Sequence, residues 1–476
     1  FMIKKIGLIL GPVSFIFFNF IGFENIEEKA SVVIALASWM IIWWISEAVS
    51  ISVTSLLPLV IFPLFKVMEI NQVGANYGSS IVFLFFGGFV LALALEKVDL
   101  HKRIALTIIN KTGTSPNRVI LGFMIATAFM SMWISNTAST VVMLPIALSV
   151  INLLIDNKRG FSKSEKNFSL SVMLGIAFSA NSGGIATVIG TPPNSVLIGL
   201  LENEYNIEIS FLNWMAIGLP FSITLLTIIY FLLTKVLFRN EKIKFKSSST
   251  LIKNKLNELG KLSKKEKHVL VIFGITVFLW IFRTLINKLM PGLKLSDTII
   301  SVGCAIALFA IPYKVSKSEF ILNWNDTKNL AWGILILFGG GLGLAKGMSE
   351  TGIVSLITDT ISGANLNILL TVSLLITMML FMTELMSNVA LVAVLAPVMA
   401  GIAIGLEIPI LHLLVPITIA SSCAFMLPMA TPPNAIVFAS GYVKVSEMVR
   451  AGILINILSI LLLILMYKFF IPLIFN

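Results

Sequence analysis

The sequence predicts an all-α polytopic membrane protein: 11 transmembrane helices plus two re-entrant hairpins, in two repeats of inverted topology. Three observations predict it. The 476 residues are 57% hydrophobic and only 12% charged, with mean hydropathy +0.98; a soluble domain carries about a quarter charged residues. Apolar stretches of about 20 residues, enough to cross a bilayer, recur from end to end. A polar phrase also occurs twice inside apolar segments, Ser135-Asn136-Thr137 and Ser387-Asn388-Val389, followed by Pro145 and Pro397. A second phrase trails each, Gly190-Thr191-Pro192-Pro193-Asn194 and Ala430-Thr431-Pro432-Pro433-Asn434. The weak alternation of a membrane β-barrel is absent.

Lys4 and Lys5 precede a first span at about 6–22, and the loop with Glu24, Glu27, Glu28 and Lys29 carries a net −2. The first apolar run has no small-residue cleavage pattern, so a cleaved signal peptide is not expected. Spans follow at about 30–46 and 48–66, with Glu47 at a membrane face after Trp43-Trp44. The next runs from Tyr77 to Lys97 and contains Gly87-Gly88. The basic, partly amphipathic stretch from Lys97 to Arg118 suits the interface plane. Residues 116–155 are apolar but broken at Ser135-Asn136-Thr137. One helix of about 40 residues would be about 60 Å long, twice the hydrocarbon core, so two half-helices in a re-entrant hairpin fit better. Segment 168–201 is broken by Gly183-Gly184 and Thr191-Pro192-Pro193 and ends at Glu202, Glu204 and Glu208. Span 211–238 leads into a polar linker, 239–267; from Lys235 to Lys267 eleven Lys/Arg face three Glu.

The second half begins with spans at about 268–289 and 296–313, then 329–347 with Gly339-Gly340-Gly341. A hairpin at about 364–405 is broken at Ser387-Asn388, segment 410–441 at Thr431-Pro432-Pro433, and a last span covers about 448–474. Cytoplasmic loops collect Lys and Arg. With the N-terminus inside, the acidic loops at 24–28 and 202–208 fall outside, and the basic stretches at 97–118, 158–166 and 235–267 fall inside. The C-terminus is then external. The net charge of +11 is thus a topology signal rather than a sign of nucleic acid.

Phe86-Gly87-Gly88 matches Phe338-Gly339-Gly340 at an offset of 252, the offset that also relates Ser135 to Ser387 and Pro145 to Pro397. Pro192 and Pro432 are offset by 240, because the first half carries a basic loop where the second has only Gly405-Leu406-Glu407. Five crossings separate the two glycine-pair spans. An odd number inverts the repeat, so one hairpin enters from each side and both tips can meet at the midplane.

A membrane span tolerates broken helix only where freed backbone is buried in protein or lines a cavity. Carbonyls at the end of a half-helix can coordinate a small cation, and amides at the start of the next can meet an anion. Ser, Thr, Asn and carbonyl oxygens suit hard cations. No Arg or Lys lies within the four phrases, so an anion there must be balanced by dipoles and co-bound cations. A single Ser-Asn pair reads first as a helix cap or interhelical bond; two at symmetric positions, each with a Thr-Pro-Pro-Asn break, read as a site. Paired prolines remove two donors and break rather than kink a helix. Glu384 is a functional candidate as an ionisable residue at depth, and its plainer reading is a salt bridge or a solvent-facing position. Arg283 and Lys346 are expected to snorkel or pair near span ends. Cys304 and Cys423 read as buried thiols, and the scattered His101, His268 and His412 form no metal-ligand pattern.

The two Ser-Asn tips, the two Thr-Pro-Pro-Asn breaks, their spacing and the mid-chain linker together resemble the divalent anion/sodium symporter family, relatives of the sodium-coupled dicarboxylate and citrate carriers. The resemblance covers nearly the whole chain. It implies a homodimer working as an elevator, in which a transport domain slides against a scaffold. Residues 1–115 and 268–363 would be scaffold helices, 116–238 and 364–476 the transport-domain halves, and 239–267 a cytoplasmic linker. Stretches 99–115 and 346–362 would be arms between scaffold and moving domain. By position, Ser135, Asn136 and Thr137 would contact one carboxylate, Ser387 and Asn388 the other, with Val389, Thr431 and Pro432 lining the pocket. One sodium site would take Ser131, Ser135, Asn136 and the Gly190 backbone. The second would take Thr383, Asn388 and the backbones of Met386 and Ala430. Val389 stands where the first tip has Thr137, so one hydroxyl is missing.

The expected function is import of C4-dicarboxylates (succinate, malate, fumarate) with Na⁺, in a bacterial inner membrane. No cofactor beyond sodium as coupling ion is expected, and no catalytic residues. A dicarboxylate exchanger, tricarboxylate or sulfate transport, and an anion channel stay open as alternatives. An intramembrane enzyme fits worst, because no activated nucleophile or metal-ligand cluster appears.

Overall fold

A computed structural model describes residues 2–21, 26–113, 115–152, 162–239, 248–314, 319–362 and 367–475. Glu24, Lys158, Arg159 and 240–247 of the linker, which contribute to the expected loop-charge pattern, lie outside the described residues. Among the described residues the regular elements are helices, and eight helical stretches are long and apolar enough to cross a membrane.

Helices α1 (Met2–Ile21) and α2 (Glu28–Ser46) pack along each other. The span expected at 48–66 is instead two short helices, α3 (Ile51–Thr54) and α4 (Leu57–Leu64). Ser50 caps the first with its side chain, and Pro58, which has no amide to donate, sits in the first turn of the second. The span expected from Tyr77 to Lys97 is α6 (Ser80–Lys97), and a separate short helix, α5 (Ile70–Tyr77), precedes it across Gly78. Then come α7 (Leu100–Thr112), α8 (Pro116–Ser131), α9 (Asn136–Asn152), α10 (Lys163–Gly184), α11 (Pro192–Tyr205) and α12 (Phe211–Phe231). The linker holds α13 (Ser248–Glu258). The second half contains α14 (Lys264–Leu289), α15 (Asp297–Ala310), α16 (Trp332–Glu350), α17 (Ile353–Ile361), α18 (Ile368–Thr383), α19 (Asn388–Gly405), α20 (Ile410–Ser421), α21 (Pro432–Ala439), α22 (Val445–Leu465) and α23 (Ile471–Ile474).

The four phrases fall where helices stop. α8 and α9 are separated by residues 132–135, α10 and α11 by 185–191, α18 and α19 by 384–387, and α20 and α21 by 422–431. Packing repeats between halves. α8 lies on α10 as α18 lies on α20, and the exchange across halves is reciprocal: α9 packs on α21 and α19 on α11. A further likeness was not legible in the sequence. α12 runs on into a π-helical turn at Leu232–Leu237, and α22 into one at Met466–Phe470. Arg283 pairs with Glu208 at 2.8 Å and Asp297 at 3.4 Å, Lys346 with Glu350 at 3.8 Å, and Glu47 with Lys4 at 3.4 Å. Both cysteines are free and buried, as expected.

Candidate functional site

Each tip is built around one asparagine. In the first, Asn136 opens α9, and its Oδ1 lies 2.5 Å from Ser131 Oγ, which also reaches the Ala180 carbonyl at 2.7 Å. In the second, Asn388 opens α19, and its Oδ1 accepts from Thr383 Oγ1 at 2.7 Å, with the Ser421 carbonyl 2.5 Å from the same hydroxyl. Each cluster thus gathers three oxygens around a single hydroxyl proton. Acceptors outnumber donors in a buried place, and oxygen-only ligands are what a hard cation takes. Ser131 and Thr383 are fully buried, one layer behind the tips. Sequence reasoning missed the Ala180 and Ser421 carbonyls, since a backbone carbonyl carries no residue signature. Ser135 does act as a helix cap, accepting from the Ala138 amide at 3.1 Å, whereas no side-chain cap bond is formed by Ser387.

The Thr-Pro-Pro-Asn breaks are stapled by their asparagines. Asn194 Nδ2 donates to the Thr187 carbonyl at 2.8 Å and lies 3.4 Å from those of Gly184 and Ile185. Asn434 Nδ2 donates to the Ala424 and Leu427 carbonyls at 3.2 and 3.1 Å, positions matching Gly184 and Thr187 at the offset of 240. Asn181 joins the two halves: its Nδ2 donates to Thr431 Oγ1 at 3.0 Å and to the Ala424 carbonyl at 3.1 Å. The first break also needs very close backbone approach. A Cβ on Gly184 would stand 2.5 Å from Asn136 Oδ1 and 3.0 Å from the Gly190 carbonyl, which puts that carbonyl beside the first oxygen cluster.

Glu384 forms neither the salt bridge nor the solvent-facing position expected of it. It is 3% exposed, and its carboxylate accepts from the Phe425, Met426 and Leu427 amides at 2.8, 2.9 and 3.1 Å and from Asn456 Nδ2 at 2.7 Å. The sequence could not reveal this, because the partners lie on two other segments of the fold.

Both tips and both breaks line one cavity of about 830 Å³. Ser135, Asn136, Thr137, Gly190, Met386, Ser387, Asn388, Val389, Ala430, Thr431 and Pro432 all face it. So do Asn181 and a second group from α1, α2, α6 and the start of α16, including Lys4, Trp44, Glu47, Phe89, Glu96 and Ala331. Among the described residues, the cation lining this cavity is Lys4, and it is bonded to Glu47.

The sodium:sulfate symporter transmembrane region model matches residues 12–475. The chain is a member of the sodium:sulfate symporter family. Family members at this level of similarity are transporters, and this member is a transporter rather than an enzyme. It is 40% identical over 476 residues to the sodium-dependent dicarboxylate transporter SdcS of Staphylococcus saprophyticus subsp. saprophyticus, covering 98% of this chain and 92% of the relative. The protein of the same name from Staphylococcus aureus (strain USA300) is 40% identical over 477 residues, covering 99% and 92%. In fold, the family member resembles the Alcanivorax borkumensis YdaH transporter, with TM-score 0.56 and 9% identity over 85% of this chain and 87% of that one. It also resembles Neisseria gonorrhoeae MtrF, with TM-score 0.51 and 14% identity over 87% and 84%.

Proposed function

We propose that this symporter-family member imports C4-dicarboxylates such as succinate, malate or fumarate together with Na⁺. The observation that carries the proposal is the pair of donor-poor oxygen clusters, Ser131–Asn136–Ala180 and Thr383–Asn388–Ser421, each directly behind one tip of the shared cavity. The four phrases hold no basic residue, so a dianion between the tips is neutralised by the cations beside it and by half-helix N-termini. Two opposed tips suit a molecule with a carboxylate at each end: Ser135, Asn136 and Thr137 take one, Ser387 and Asn388 the other. Val389, Thr431 and Pro432 shape the space between. Sodium bound by Ser131, Ser135, Asn136 and Gly190, and by Thr383, Met386, Asn388 and Ala430, is cargo as well as counter-charge. The names of the 40%-identical relatives support sodium and dicarboxylate as its substrates.

In the bilayer, α8–α9 and α18–α19 are re-entrant hairpins from opposite faces of two inverted repeats with 11 crossings. The reciprocal packing of α9 on α21 and α19 on α11 supports that symmetry. With a cytoplasmic N-terminus in the bacterial inner membrane, the cavity mouth at Lys4, Glu47, Glu96 and Asn329 is on the cytoplasmic side, so this is the inward-open state. The cavity walls divide into tips and breaks on one side and α2, α6 and α16 on the other, and α7 and α17 sit at the two connections between them. That division supports an elevator with α7 and α17 as arms, in a homodimer joined through the scaffold.

The test is uptake of radiolabelled succinate into proteoliposomes with and without an inward Na⁺ gradient, with malate, fumarate, citrate and sulfate as competitors. Gradient-driven uptake competed by the C4 acids is expected. Equal uptake under both conditions removes the symport reading, and stimulation by internal dicarboxylate alone makes the protein an exchanger.

A further inference from the structure

The two oxygen clusters are close copies, but their surroundings differ in one charge. Glu384 follows Thr383 directly; at the offset of 252 the first half has Met132, which follows Ser131. The jobs at these positions correspond. In the first half the Met132 carbonyl accepts from Thr187 Oγ1 at 2.6 Å, tying the turn after α8 to the break after α10. In the second half the matching break residue, Leu427, donates its amide to the Glu384 carboxylate at 3.1 Å, and Phe425 and Met426 add theirs. A neutral tie in one half is replaced by an anion held in three successive amides in the other. Asn456 of α22 completes the set at 2.7 Å. Among the described residues the ion pairs include none to Glu384, so its charge is met only by dipoles.

We infer that Glu384 is a positioning residue that makes the two cation sites unequal: it fixes the 425–427 turn leading to Ala430 and adds a buried negative charge that raises Na⁺ affinity at the second site. The geometry supplies both parts. Ser421, whose carbonyl belongs to the second oxygen cluster, and Ala430 flank the turn that the carboxylate holds. Gly452 of α22 lets the turn lie against that helix, since a Cβ there would stand 2.2 Å from the Phe425 carbonyl. The three amides neutralise Glu384 less completely than a lysine or arginine would, and the residual field falls on oxygens bonded to the neighbouring residue. The second site therefore fills first as Na⁺ rises, and the first follows.

The inference rests on the proposed sodium-coupled uptake. The experiment measures the Na⁺ dependence of succinate uptake in proteoliposomes for the wild-type protein, E384Q and E384D, together with the succinate half-saturation at saturating Na⁺. A unit charge within about 10 Å at an effective dielectric of about 20 corresponds to a shift on the order of tenfold. E384Q is expected to raise the Na⁺ half-saturation by about tenfold, while succinate half-saturation at saturating Na⁺ stays within about twofold. E384D, which keeps the charge on a shorter arm, is expected to stay within about threefold of wild type for Na⁺. An unchanged Na⁺ dependence in E384Q overturns the inference, as does a parallel loss for Na⁺ and succinate. If E384Q yields no monodisperse protein, E384D decides: a tenfold rise there overturns it. Sodium-independent uptake by the wild type would instead defeat the symport reading on which the inference rests.

Discussion

At the residue scale the pocket is nearly symmetric, and its main departure is Thr137 against Val389. Both face the cavity. A hydroxyl that donates to a bound carboxylate contributes about 1–2 kcal/mol net. T137V is therefore expected to raise the succinate half-saturation on the order of tenfold, and V389T to lower it by a few-fold, in sodium-driven uptake. If both variants leave it unchanged, neither position touches the carboxylates. The tips were legible because polar, helix-breaking residues inside apolar segments are costly and stand out against their neighbours. Asn194 and Asn434 were visible as the ends of repeated phrases, but their work as staples was not, since they bind backbone carbonyls several residues back. Glu384 was visible as an anomaly and misread in its contacts, because its acceptors' partners are amides 41 to 43 residues away in the chain.

At the element scale, length and composition located the helices better than their breaks. The segment at 48–66 is apolar enough for a span, but Ser50 caps the start of α3 and Pro58, with no amide to donate, begins a new helix, α4, after Ser55-Leu56. Hydropathy averages over such a break, and local hydrogen bonding decides it. The close approach of α10 to α8 was equally hidden. Gly183 was read only as a helix interruption, yet a Cβ there would lie 2.3 Å from the Ala128 carbonyl and 2.6 Å from its Cα, both backbone atoms that cannot move aside cheaply. G183A is expected to push α10 from α8 and destabilise the protein by about 1–3 kcal/mol. The check is the thermal unfolding midpoint in detergent, which should fall; an unchanged midpoint would mean that the two helices separate without cost. The π-helical turns ending α12 and α22 were likewise not visible as a residue pattern in the sequence.

At the scale of the whole molecule, the repeat offsets in the sequence foretold that two pairs of breaks would converge, and they do so in one cavity. What the offsets could not convey is that the halves exchange partners, α9 packing on α21 and α19 on α11, while each oxygen cluster is closed by a carbonyl of its own half. This exchange couples the two cation clusters to one substrate space. The pocket holds no fixed positive charge in its four phrases, and the lysine at its mouth is already paired with Glu47. An anion between the tips consequently depends on the cations behind them. The most direct measurement is succinate binding to the purified protein in Na⁺ and in choline at equal ionic strength, followed by calorimetry or by the ligand's effect on the unfolding midpoint. The expected result is saturable binding and a raised midpoint in Na⁺, with both lost in choline. Equal binding in the two salts would contradict an anion site assembled from neutral groups and co-bound sodium.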